Sequence, residues 1–181
     1  MQLVEGRADI DDIDEFVGRI SQIGSEHGVT IQTFDARYVA DAAHLRRAVD
    51  HAVRAIERGE AIADDPGVEI LLYAAGRRQI NRALEMGVSA GECPVVGVAV
   101  DCDAHDYRGD PVGTAARPAT EAERDAAAAL EAELDPERTL DTPDDDRLRS
   151  YFDVTDRELA ATDGTISDLV RERVALLVVD R

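Results

Sequence analysis

Three groupings in the 181-residue sequence combine residue types that could do chemistry. The first is Gly76-Arg77-Arg78-Gln79, which falls where the apolar run Val68 to Ala74 ends and a helical pattern begins. A helix start offers free N–H groups and a positive dipole end, glycine permits close approach, and two Arg add charge, so the segment suits a phosphate or a nucleotide end. Arg82 lies one turn beyond Arg78 and Asn81 one turn beyond Arg77, which extends the patch along one exposed face. The ordinary alternative is a solvated first turn. The second grouping is Asp101, Cys102, Asp103, His105 and Asp106, a mix of oxygen, sulfur and nitrogen donors. Cys102 and His105 lack a second ligand pair, so the stretch reads as an acidic surface loop and no metal or cofactor is assigned. The third is His44 and His51, seven apart and nearly two turns along one helix, too far for joint ligation and expected as surface or half-buried polar residues.

Catalytic arrangements are otherwise scarce. G-x-S-x-G, G-x-G-x-x-G, H-E-x-x-H and paired C-x-x-C are all missing. An enzyme would have to use the Gly76 to Gln79 helix start with Asp101 or Asp103 as acid/base group, and it would lack a recognisable nucleophile and base. The 39 Asp and Glu against 20 basic residues give a net charge of −19, and every basic residue is Arg. Without Lys there is no Walker A loop, no Schiff-base chemistry and no kinase of the usual type. An acidic, Lys-free, Ala-rich chain suits a halophile's cytoplasm. In molar salt the Debye length shrinks to about 3 Å, so charge acts at contact and a negative total does not exclude RNA. Between Arg37 and Gly87 lie eight of the 20 Arg and eight of the 39 acids, so the whole −19 falls outside that stretch. A neutral, Arg-bearing region on an acidic chain is where an anionic partner could dock, because Arg grips phosphates bidentately. The same Arg could equally pair with neighbouring carboxylates.

These groups need elements to hold them. Gln2 to Ala8 reads as a strand, followed by a helix capped at Asp9 or Asp11 with Ile10, Ile13, Phe16, Val17, Ile20 and Ile23 on one face. Val29 to Asp35 reads as a second strand, with Phe34 and Tyr38 facing the core. A helix opens at Asp41 and ends at Gly59, burying Leu45, Ala48, Val49, Ala52 and Ile56. Val68 to Ala74, almost wholly apolar, reads as a buried central strand, and Arg77 to Met86 as a helix that buries Ile80, Ala83 and Leu84. Val95 to Val100 is a further strand, and Thr120 with Glu123 forms a capping box for an Ala-rich helix through Leu134. Tyr151 to Ala161 and Ile166 to Arg173 follow as helices and Val174 to Val179 as a last strand, with 101–147 an acidic peripheral stretch. The expectation is an α/β (mixed α+β) fold: a single domain over 1–181 with a central sheet of about five strands flanked by helices. No signal peptide or long apolar span is present, so a cytoplasmic protein and no membrane are expected.

Phe34-Asp35-Ala36 with Val39, His44-Leu45, Ile62-Ala63 and above all Glu69-Ile70-Leu71-Leu72-Tyr73-Ala74-Ala75-Gly76-Arg77-Arg78-Gln79-Ile80 resemble the PRPK-binding protein (TPRKB-like) family. The likeness runs from about Phe34 to Val88, with weaker support from Val95 to Val100 and Glu172 to Leu176. It implies a non-catalytic regulatory subunit of the KEOPS complex, with the atypical kinase/ATPase subunit and tRNA as partners. Such a subunit recruits tRNA through its 3′ CCA end for threonylcarbamoyladenosine modification next to the anticodon. Arg78, Gln79 and Ile80 match the motif, and RNA contact is carried to Arg77, Arg78, Gln79, Asn81 and Arg82. A purely structural interaction module is the remaining alternative.

Overall fold

The computed structural model describes residues 1–103, 118–141, 143–162 and 164–177. An antiparallel sheet of order β2-β3-β1-β4 forms its middle layer, built from β1 (Gln2–Ile10), β2 (Thr30–Asp35), β3 (Gly91–Val100) and the two-residue β4 (Asp135–Pro136). The expected central sheet between helices is there, with four strands among the described residues. β1 and β3 pair over their full length, and β2 pairs with β3 from Thr30 opposite Val100 to Asp35 opposite Val95.

One face is covered by α1 (Ile13–His27) and α5 (Glu121–Glu131), which bury Ile20, Ile23, Ala126 and Leu130 against Val4, Val95 and Ala99. Asp12 caps α1 by accepting from the Asp14 and Glu15 N–H groups, three residues beyond the Asp9 that β1 absorbs. Gly97 lets α5 lie close, since a Cβ there would stand 2.5 Å from Leu130 Cδ2. The Thr120–Glu123 capping box forms as expected. Glu123 is buried, which alone would favour its neutral form, yet hydrogen bonds from the Met1 ammonium and the Asp101 and Thr120 N–H groups hold its pKa below the usual carboxylate value.

The other face carries the larger core: α2 (Ala42–Glu57), α3 (Pro66–Ala75) and α8 (Ile166–Leu176) over Phe34, Val96, Val98 and Val100. Asp41 caps α2, and Gly59 (φ 65°) follows its C-cap as expected. Leu45, Ala48, Val49 and Ala52 of α2 are fully buried. Two expected strands are helices. Val68 to Ala74 is the body of α3, opened by Asp65 as N-cap and Pro66 in the first turn and closed by Gly76 at φ 59°. Its apolar residues run without a period because α3 is enclosed on all sides, from Ile70 through Ala75. Val174 to Leu176 is the last part of α8, and residues 178–179 lie outside those described. The helix expected from Tyr151 to Ala161 is instead α6 (Asp145–Tyr151) and α7 (Asp156–Ala161), parted at Asp153, a non-glycine residue at φ 53°.

Candidate nucleic-acid and partner interface

α3 is pinned at both ends by buried polar groups. Glu69 Oε2 accepts from the Ile62 and Ala63 N–H groups at 3.0 and 2.8 Å, which draws the loop after α2 onto α3. His44 is fully buried rather than superficial: its Nδ1 accepts from the Ala40 N–H, so Nε2 carries the proton and donates to the Ala74 carbonyl at 2.8 Å. Burial lowers the His44 pKa to about 4. His51, stacked on Tyr73, is half-buried and held near 4 for the same reason.

At the end of α3 the Gly76 and Arg77 N–H groups bond back to the Tyr73 and Leu72 carbonyls, the left-handed closure of a helix C-terminus. The expected anion site is therefore inverted. Gly76 to Gln79 lies at the carbonyl end of α3, where the dipole is negative. The following α4 (Ile80–Ala83) is four residues long, with a 3-10 turn from Leu84 to Met86 in place of the expected helix over 77–86. The helix start left to a nucleotide-binding enzyme is that of the four-residue α4, with Gln79 as its N-cap and no side-chain capping bond.

The five expected site residues divide. Arg77 turns inward as a strut, donating to the Tyr151 carbonyl at 2.7 Å and Asp153 Oδ2 at 2.8 Å while its guanidinium lies over the Tyr151 ring. Arg78, Gln79, Asn81 and Arg82 are exposed and consecutive with Ile80, so the turn presents them together. Arg82 reaches Glu85 at 2.8 Å, and its carbonyl accepts from the Tyr151 hydroxyl at 2.7 Å. Ile80 and Leu84, expected in the core, are 45% and 54% exposed, and Ala83 alone of the three is buried. A four-residue helix cannot carry a long buried stripe, so Ile80 and Leu84 face outward while Ala83 and Met86 are buried.

Beside Arg82 lies a polar hollow of about 570 Å³ between this turn and α6, lined by Tyr38, Tyr151, Arg147, Ser150, Glu85 and Asp144 among others. Tyr38 and Tyr151 meet edge to face at 5.1 Å, and Arg147 lies over Tyr38 at 5.0 Å and donates to its hydroxyl. That bond, with a second to Asp144, holds the Arg147 guanidinium above its usual pKa. Burial pushes the Tyr151 phenol up, so it stays a neutral donor. The sequence offered Tyr38 and Tyr151 only as isolated aromatics 113 positions apart; α6 and the turn after β2 bring them together.

With this turn and its scaffold defined, comparison with known families is decisive: a family model described as "Kinase binding protein CGI-121" matches residues 9–177. The chain belongs to this family. The CGI-121 match takes in the end of β1, both helical layers and the Arg77 to Arg82 turn, beyond the Phe34 to Val88 likeness legible by eye. A search of curated proteins finds no match.

Of the acidic grouping, Asp101, Cys102 and Asp103 leave the end of β3, while His105 and Asp106 lie outside the described residues. Cys102 is half-buried, its thiol pKa raised by burial and its Sγ 3.6 Å from Thr30 Oγ1. Among the described residues no three His, Cys, Asp or Glu side chains gather as metal ligands, and no helix is long and apolar enough to cross a membrane.

Proposed function

We propose that this CGI-121 family chain is a non-catalytic regulatory subunit of a KEOPS complex. It binds that complex's atypical kinase/ATPase subunit and recruits tRNA by its 3′ CCA end for threonylcarbamoyladenosine modification next to the anticodon. The family's description as kinase-binding supports the first part. For the second, the carrying observation is the exposed run Arg78-Gln79-Ile80-Asn81-Arg82, in which guanidinium, amide and apolar groups stand side by side on an otherwise acidic protein. Arg planes and Ile80 offer stacking surface to unpaired bases, and the Arg and amide groups offer donors to phosphates and base edges. The adjoining hollow adds the guanidinium of Arg147, which lies over the Tyr38 ring as Arg77 lies over that of Tyr151. Its carboxylates can accept from exocyclic amino groups, as Asp and Glu do from cytosine. The mechanism is positioning.

The test separates the arginines by their structural roles. Arg78→Glu is expected to weaken tRNA binding roughly tenfold or more while the chain remains folded. Arg77→Glu is expected to lower stability as well, because it breaks the strut to Tyr151 and Asp153. Undiminished tRNA binding by Arg78→Glu would remove this turn from RNA recognition.

A further inference from the structure

β2 is a terminal strand of the sheet, and among the described residues no strand lies along its outer edge. Terminal strands ordinarily resist pairing with other chains through charged side chains, proline, bulges or brevity. Over Thr30 to Gln32 β2 has few of these protections, while Thr33, Phe34 and Asp35 are buried and the Thr33 carbonyl accepts from Gln32 Nε2. Its first five residues, Thr30-Ile31-Gln32-Thr33-Phe34, are uncharged in a chain that is one-third charged, and its six residues pair one to one with β3 without a bulge. A groove of about 880 Å³ is lined by Thr30 to Thr33 of this strand together with residues of α1, the start of α3, Leu84, Gly87 and Val88.

Three of the five large apolar side chains that the described surface exposes, Ile13 (41%), Val17 (45%) and Leu84 (54%), line this one groove. Four glycines also line it, and Gly24 lets α1 lie close on the turn into β2, since a Cβ there would lie 2.8 Å from the Val29 carbonyl oxygen. Among the described residues, the charged ones along the groove are Asp65, Asp101 and Asp103, with no Arg or His.

We propose that this groove takes an extended segment of a partner protein, alternating apolar and basic residues, which adds to the sheet as a strand against β2. Main-chain pairing with β2 would supply affinity, Ile13, Val17 and Leu84 would receive the apolar side chains, and Asp65, Asp101 and Asp103 would meet the basic ones. A second copy of this chain fits poorly: its own surface is acidic, and its β2 carries no basic residue to offer those carboxylates.

The probe is a fluorescein-labelled eight-residue peptide alternating Val with Arg and Thr, titrated by polarisation into the full chain in molar potassium chloride. Two companions are an Asp-for-Arg peptide and one N-methylated at alternate amides. Saturable binding is expected, weakened roughly tenfold or more by Ile13→Glu or Val17→Glu, by the Asp peptide and by N-methylation. Both substitutions fall on exposed α1 positions, so the melting temperature should hold, and they lie apart from the Arg78 turn, so tRNA binding should not change. No binding by the probe, binding indifferent to Val17→Glu, or equal binding by the N-methylated peptide would each overturn the proposal. So would a dimer in sedimentation that Val17→Glu dissolves, because the occupant would then be a second copy.

Discussion

His44 has two backbone partners, of which the Ala40 N–H requires a neutral ring to accept its bond, and no solvent reaches it. Its pKa is about 4 in the folded protein and about 6.5 in an unfolded chain, so between those values the unfolded chain binds the extra proton. Stability is full above pH about 6.5 and falls towards pH 4 by on the order of 3 kcal/mol. His51 shifts in the same direction. Glu158, bonded to Arg173, and Asp168, bonded to the Thr165 N–H, sit near 2, so their contribution persists until pH falls further. Urea unfolding of wild type and His44→Gln between pH about 7 and 4.5 checks this: the decline should be clearly shallower in the variant. An equal decline would show that His44 is not its source. Arg77 gives a second residue-scale expectation: Arg77→Ala should cost about 1 kcal/mol by leaving the Tyr151 carbonyl without its donor. Neither role was legible in sequence. His44 reads as a surface or half-buried residue because its partner Ala74 is 30 positions away, and the partners of Arg77 are 74 and 76 positions away.

Elements with a clear period and strong caps were legible: α1, α2, α5 and α8 as far as Arg173, and the three long strands. α3 was not, because an unbroken apolar run fits a buried strand and a buried helix alike. Its punctuation held the answer, since Asp65-Pro66 before the run and Gly76 after it are helix cap signals, and they bracket ten helical residues. Misreading α3 also moved the expected RNA site onto a helix N-terminus, when the same residues follow a helix C-terminus. The left-handed Gly76 makes that closure testable. Gly76→Ala must place a Cβ at φ 59°, 3.4 Å from the Arg173 backbone, and should cost roughly 1 kcal/mol or more by urea midpoint. A neutral substitution would mean that α3 does not end in this conformation.

At the scale of the whole molecule, 39 acids and 20 Arg make self-repulsion the dominant long-range force. Raising potassium chloride from about 0.2 M to about 2 M should raise the melting temperature, because screening relieves that repulsion. A flat or falling curve would contradict a chain adapted to high salt. The same acidity gives the neutral stretch from Arg37 to Gly87 its meaning: it contains the α3 scaffold and the Arg78 to Arg82 turn, with the Tyr38–Tyr151 hollow alongside. The central claim is that this turn receives the single-stranded end of tRNA. Its most direct test is a polarisation titration of the chain with intact tRNA and with tRNA trimmed of its CCA end, both in molar potassium chloride. The account predicts that trimming weakens binding roughly tenfold or more; equal affinity for the two RNAs, or none for either, would contradict it.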